Sequence, residues 1–180
     1  KGTQAKRIAE DAGIPHIATG DMIRAMKDED SELGREVRAV YDRGDLVSDE
    51  LMIALIRDRL SHPDTDRGFV LDGFPRTLRQ AESLDGLLGE LDRRIGVVLD
   101  FQIPEEVAVE RLHGRAVAEG RSDDTPDVIR HRLDVFQRQT RPVVEHYRTK
   151  GILVGIHAHR TVDEVFSEVQ DVLQTAGAEQ

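Results

Sequence analysis

Four short runs rich in β-branched and apolar residues, Pro15 to Ala18, Phe69 to Asp72, Val97 to Phe101 and Ile152 to Ile156, are separated by longer stretches of helical periodicity. That alternation is the pattern of βα units and predicts an α/β chain with a parallel sheet. Ile8, Ala9 and Ala12 form the stripe of a first helix, and Leu84, Leu87, Leu88 and Leu91 that of another after a turn at Thr77. Pro104 reads as a first-turn proline opening a helix through Val107, Val109 and Leu112. Ile129, Leu133, Phe136, Val143, Val144 and Tyr147 outline a long helix, bent at Pro142 for want of an N–H donor. Thr161 with Glu164 makes a capping box ahead of Val165, Phe166, Val169, Val172 and Leu173.

The 180 residues, 38% hydrophobic and 33% charged, suit one domain with a single sizeable core. The absence of cysteine excludes disulfides, thiolate zinc sites and a cysteine nucleophile. No apolar run reaches membrane-spanning length. A net charge of −10 speaks against a general nucleic-acid or anionic-membrane surface, so any anionic ligand must be bound locally. Cytoplasm is the default expectation.

Two stretches break the βα rhythm. Residues 19–47 form a polar helical insertion whose second helix, near residues 32–43, has a thin stripe of Leu33, Val37 and Val40 and is expected to pack weakly. Residues 111–132 contain Gly114, Gly120 and the charged Arg121-Ser122-Asp123-Asp124, with little to bury. Both suit small lobes that close over ligands.

Chemistry-bearing motifs sit at the strand ends. The opening Lys1-Gly2-Thr3-Gln4 matches the second half of a phosphate-binding loop, with Lys1 for phosphate oxygens and Thr3 for Mg²⁺. Alone, it reads as a solvated chain end. Asp72-Gly73-Phe74-Pro75-Arg76 follows the apolar Phe69-Val70-Leu71, where ligands of open α/β sheets bind. Alone, it is equally a Gly-Pro turn flanked by a surface ion pair. Thr19-Gly20-Asp21-Met22-Ile23-Arg24 also follows a strand, ends in arginine and opens a helix whose N-terminus favours an anion.

In this order the motifs closely resemble the adenylate kinase family of nucleoside monophosphate kinases. The resemblance spans essentially the whole chain: K-G-T-Q, T-G-D-M-I-R, G-D-L-V-S-D-E-L from Gly44, D-G-F-P-R-T followed by Gln80, E-R-L-H-G-R from Glu110, and G-R-S-D-D from Gly120 leading to Arg132. It implies a P-loop NTPase-like three-layer α/β fold over residues 1–180, with parallel strand order 2-3-1-4-5, an AMP-binding lobe at 19–47 and a short lid at 111–132. Strand 1 and the glycine-rich first half of the loop are expected to precede Lys1, and the 180 residues alone to be unstable and inactive. It further implies phosphoryl transfer from MgATP to AMP, giving two ADP, by a cytoplasmic monomer with no zinc, nucleic-acid or membrane partner.

Carried over by position, the resemblance assigns Lys1, Gly2 and Thr3 to the ATP phosphates and Mg²⁺, Asp72 to the metal through water, and Asp21 to the metal's water shell. The AMP site comprises Thr19, Arg24, the backbone of Asp45, Leu46 and Val47, the Gly73, Phe74, Pro75 and Arg76 turn, and Gln80. Arg111 and Arg115 face ATP, Arg121 and Arg132 reach across the transferring group toward AMP, and Arg160 contributes a backbone contact to the donor adenine. Lys1, Arg76, Arg111, Arg115, Arg121 and Arg132 form the catalytic set. Permanently charged, bidentate guanidinium groups fit a reaction whose difficulty is uniting two polyanions.

Thr19 and Gln80 are associated in this family with adenine as acceptor base, whereas relatives using UMP or CMP typically carry Ala at the first position. A UMP/CMP kinase and a noncatalytic nucleotide-binding module are the alternatives. Only Ala116 to Gly120 separates Arg115 from Arg121, as in the short-lid class. His16, His62, His113, His131, His146, His157 and His159 show no zinc or catalytic spacing and read as structural or solvated. Asp123 and Asp124 read as organisers of neighbouring arginines.

Overall fold

The computed structural model describes residues 1–119 and 125–178, the side chains of 115–119, 177 and 178 excepted. All four expected strands form, each within one residue of its expected ends: β1 (His16–Ala18), β2 (Val70–Asp72), β3 (Val98–Gln102) and β4 (Leu153–His157). β1 pairs with β2 in parallel, His16 opposite Val70 and Ala18 opposite Asp72. β3 pairs likewise with β4, Val98 opposite Leu153 and Gln102 opposite His157. Among the described residues these are two separate two-stranded sheets. They correspond to the outer pairs of the expected order 2-3-1-4-5.

Nine α-helices among the described residues connect and cover the strands: α1 (Gly2–Ala12), α2 (Thr19–Lys27), α3 (Glu32–Asp42), α4 (Asp49–Leu60), α5 (Leu78–Glu90), α6 (Glu105–Glu119), α7 (Pro126–Val135), α8 (Arg141–Thr149) and α9 (Val162–Ala178). Successive strand side chains point to opposite faces, which sorts the core into layers. Leu99 and Phe101 of β3 and Val70 of β2 pack with Ile8 of α1, Ile156 of β4, and Val165 and Val169 of α9. Val98 turns the other way, toward Ala81 of α5 and Val143 and Tyr147 of α8. Leu71 joins the largest cluster, which includes Ile17, Ile23, Val37, Met52, Ile56, Leu84 and Leu88. Helices on both faces of parallel strands give the expected three-layer α/β fold. Burying each large aliphatic side chain contributes roughly 1.5–3 kcal/mol, so these clusters carry the fold.

Local signals behave as the sequence reads. Thr77 caps α5, its hydroxyl accepting from the Gln80 N–H at 3.2 Å. The Thr161–Glu164 capping box is reciprocal, Glu164 N–H to Thr161 Oγ1 at 3.3 Å and Thr161 N–H to Glu164 Oε2 at 3.0 Å. Among the described residues, no helix is long and apolar enough to cross a membrane.

Several expectations need correction. Pro104 lies one residue before α6, its carbonyl accepting the first helical bond from the Ala108 N–H, rather than inside the first turn. The long helix is divided: a π-helical turn at Phe136–Thr140 separates α7 from α8, and Arg141 N–H reaches back to the Phe136 carbonyl. The wider turn relieves the crowding that Pro142 would impose on a regular helix and rotates the apolar stripe. Val135 is buried in consequence, while Phe136 is 44% exposed. Leu91 falls outside α5, and it and Val109 are exposed. α3 is anchored more firmly than its thin stripe implies, because Val37 is 2% exposed within the largest cluster, although Leu33 is solvated.

Gly34 explains how α3 lies so close to the end of α2: a Cβ there would sit 2.4 Å from the Glu29 carbonyl oxygen and 2.8 Å from that of Met26. Gly86, exposed in the middle of α5, has nothing within 4 Å of the same position. The two glycines therefore respond oppositely to alanine. Gly86→Ala raises stability by about 0.5–1 kcal/mol through helix propensity, whereas Gly34→Ala lowers it by about 1–3 kcal/mol through overpacking. Urea denaturation of both variants measures the difference in sign.

Candidate active site

Several of the expected site residues gather where β1 and β2 end. Because Ala18 is opposite Asp72, α2 begins beside the turn that leaves β2. The Thr19 hydroxyl, buried at 2% exposure, donates to the Asp72 carbonyl at 3.0 Å and ties the two strand ends together. Gly73 has φ +85°, and a side chain there would meet Thr19 Oγ1 at 2.8 Å and Arg76 Nη2 at 3.2 Å, so glycine is required both for the turn and for this approach.

The Asp72 carboxylate is the electrostatic centre. Lys1 forms an ion pair with it, and His16 Nε2 on β1 lies 3.4 Å from its second oxygen. Gly2 packs against the same carboxylate, since a Cβ at that position would lie 3.3 Å from Oδ2. Burial pushes the Asp72 pKa up, but the Lys1 charge and hydrogen bond, together with His16, outweigh it and hold the carboxyl below its ordinary value. The start of α1, with exposed Thr3, thus stands next to an ionised acid at the carboxyl edge of the sheet.

The turn after Asp72 is built from hydrogen bonds. Arg76 Nε donates to the Gly73 carbonyl at 2.9 Å, and the Arg76 carbonyl accepts from Thr140 Oγ1 at 2.9 Å. The Arg76 N–H donates to Gln80 Oε1 at 2.8 Å, while Gln80 Nε2 donates to Asp49 Oδ1 at 2.8 Å. Phe74 turns its side chain into the core at 6% exposure.

A third group joins the 19–47 segment to α7. Arg24 Nη1 donates to the Tyr41 hydroxyl at 3.2 Å and Arg24 pairs with Asp21. Burial works against the Arg24 charge, but Tyr41 and Asp21 more than offset it and raise the guanidinium pKa. Arg132 Cζ lies 5.4 Å from the Tyr41 ring centroid, and its Cγ would touch a Cβ on Gly44 at 3.0 Å. Asp45 bridges His131 Nε2 at 2.6 Å and Arg43 Nε at 3.1 Å, and these hydrogen bonds, His131 first, lower its pKa. Leu46 and Val47 follow, half-buried.

Other expected residues lie elsewhere. Arg111 is exposed on α6, Arg115 lies on α6 with its side chain outside the described residues, and Arg121, Asp123 and Asp124 fall outside them. Arg160 donates to the His157 carbonyl at 3.0 Å and pairs with Glu168, which also contacts His157 Nδ1 at 2.9 Å. Next to it, Gln102, Ile103, Pro104, His157 and His159 line a cavity of about 410 Å³ at the ends of β3 and β4. Sequence reasoning missed His16, His131, Asp49 and Thr140. A histidine two residues before a strand end and an acid heading a helix are the only local traces of the first and third.

A helix start and an acidic strand end set against each other at the carboxyl edge of parallel strands define a phosphate-handling α/β protein. Comparison with known proteins makes that class specific. The family model described as Adenylate kinase matches residues 1–152. The chain is 46% identical over 169 residues to an adenylate kinase of Xylella fastidiosa, covering 94% of this chain and 90% of the relative. It is 40% identical to one of Staphylococcus epidermidis and 38% identical to one of Methanosarcina acetivorans, each match covering 96% of this chain and 93% of the relative. The chain belongs to the adenylate kinase family. It is an enzyme of nucleotide phosphoryl transfer.

The charge on Asp72 has a consequence for acid stability. A carboxyl whose folded pKa is depressed contributes stability that is fully present above its unfolded value, about 3.9, and is lost as the pH falls through the lower folded value. Asp72→Asn removes that contribution, so urea midpoints plotted from about pH 5 down to about pH 2 fall less steeply than in the wild type. An unchanged acid slope would contradict the assignment.

Proposed function

We propose that the enzyme transfers the γ-phosphoryl group of MgATP reversibly to AMP, giving two ADP. The observation that carries this reading is the convergence of the Lys1–Asp72 pair with Thr19, Gly73, Arg76 and Gln80 at one sheet edge. Donor and acceptor phosphates would meet there, between a lysine and an arginine.

Lys1, Gly2 and Thr3 hold the ATP phosphates. Mg²⁺ fits the residues present: Thr3 offers an exposed hydroxyl and Asp72 is kept ionised. A hard cation that keeps several waters and is bound through phosphates and one carboxylate suits such a site. When bound, it neutralises charge on the donor phosphates. Thr19, Arg24, Asp45, Leu46, Val47, Arg76 and Gln80 hold AMP, whose phosphate is already an anionic nucleophile and needs no general base. Arg76, Arg132, Arg111, Arg115 and Arg121 stabilise charge on the transferring group, and the Arg160 segment with its neighbouring cavity receives the donor base.

Residues 19–47 act as the AMP lobe and 111–132 as a short lid. The Asp45–His131 and Tyr41–Arg132 contacts between these segments support that division. The staphylococcal alignment needs 201 positions to cover 96% of this 180-residue chain, so this chain lacks residues that the relative carries. The match to the Xylella relative needs only 169.

The test is ³¹P NMR of the full-length enzyme with MgATP and AMP, UMP or CMP in turn. ADP formation with AMP is the expected outcome. Preference for UMP or CMP would transfer the assignment to the pyrimidine-nucleotide kinases, and binding without turnover would leave a noncatalytic module. Arg76→Ala and Arg132→Ala should each lower kcat by about 10²–10³-fold, the cost of removing one preorganised donor, with little change in urea midpoint. Lysine at either position restores only part of the rate, because it lacks the bidentate fork.

A further inference from the structure

We infer that Asp49 is a positioning residue that fixes the orientation of the Gln80 carboxamide and thereby makes the acceptor site select adenine over a 6-oxopurine. The inference rests on the reading of Gln80 as part of the acceptor-nucleotide site.

Gln80 is 2% exposed, and both ends of its amide are engaged. Oε1 accepts from the Arg76 N–H at 2.8 Å, and Nε2 donates to Asp49 Oδ1 at 2.8 Å. The same Asp49 oxygen accepts from Thr77 Oγ1 at 2.9 Å, and that hydroxyl accepts from the Gln80 backbone N–H at 3.2 Å. The ring joins the first residue of α4 to the cap of α5. An ionised carboxylate only accepts, and a backbone N–H only donates. Turning the amide over would set Oε1 against the Asp49 carboxylate and the Nε2 hydrogens against the Arg76 N–H. Two buried contacts oppose the flip, each the loss of a satisfied polar group.

What remains of the amide is one N–H on Nε2 and one lone pair on Oε1. Adenine presents an acceptor, N1, beside a donor, the N6 amino group. Hypoxanthine and guanine present the reverse, a donor N1–H beside the acceptor O6. One amide orientation suits the first order and the flipped orientation suits the second. An amide free to flip would accept either purine, whereas one held by Asp49 pairs only with the order its fixed ends match. Arg76 N–H holds one end, but it is the negative carboxylate that rejects an oxygen at the other.

The experiment compares kcat/KM for AMP and IMP in wild type, Asp49→Ala, Asp49→Asn and Gln80→Ala, using the full-length enzyme. Asp49→Ala should raise the IMP-to-AMP ratio at least tenfold, and Asp49→Asn, whose own amide can turn its NH2 toward the oxygen of a flipped Gln80, should raise it as well. A purely structural role would lower both substrates equally and leave the ratio unmoved, which would overturn the inference. Should Asp49→Ala fail to fold by urea denaturation, Asp49→Ser, whose hydroxyl is too short to bridge to Gln80, takes its place with the same expectation. Gln80→Ala separates the two readings: if it too leaves the ratio unchanged, Gln80 does not contact the base and the acceptor-site reading fails. If only Gln80→Ala changes the ratio, that reading stands and Asp49 has no part in it.

Discussion

The register of β1 against β2 sets where everything else lies. With Ala18 opposite Asp72, the chain leaves both strands at the same edge, and Thr19 can bond the Asp72 carbonyl. A slip of one residue would turn every β2 side chain to the other face. Val70 would leave the cluster beneath α1, Leu71 would leave the one beneath α4 and α5, and Asp72 would lose Lys1 and His16. Burial holds this register, at roughly 1.5–3 kcal/mol for each large apolar side chain. The ion pair at the strand end follows from the register and does not create it.

Most charge pairs among the described residues have no such role. Arg57–Glu90, Arg79–Glu50 and Arg130–Asp127 join solvated side chains, and pairs of that kind contribute about 0–1 kcal/mol. They balance charge on an acidic surface. Asp72 differs because its side chain is 11% exposed, so its charge persists only through Lys1 and His16.

What could be read from the sequence is what depends on neighbours along the chain. Strand ends came within a residue, and the Thr161–Glu164 box forms because its partners lie three residues apart. The acidic and arginine motifs at the strand ends were legible for the same reason, once a sheet edge was assumed. The failures involve long separations or added backbone. Pro142 announced a bend, but nothing announced that a π turn would absorb it and expel Phe136. His131 read as structural or solvated because its partner Asp45 is 86 residues away, and Asp49 drew no role of its own because Gln80 is 31 away. α3 looked loosely attached because a stripe of three residues does not reveal that one of them, Val37, reaches the main core.

The two residue groups proposed to meet the acceptor phosphate and the acceptor base are built on different physical terms. Arg24 and Arg132 arrive from α2 and α7 and share Tyr41, Arg24 at its hydroxyl and Arg132 over its ring, with Lys27 4.7 Å from the same ring. Each such cation–aromatic contact is worth only about 0.5–1 kcal/mol where solvent reaches it, enough to offset repulsion between the cations without fixing them. A phosphate offers charge-assisted, bidentate bonds of about twice the usual strength, so it can displace these partners and draw the two segments together. Gln80 is held in the opposite manner, buried, with both ends of its amide committed to Asp49 and Arg76. On the proposed reading, exchangeable arginines would let the site close on a polyanion and reopen after transfer, while a rigid amide would keep the hydrogen-bond order that the base must match.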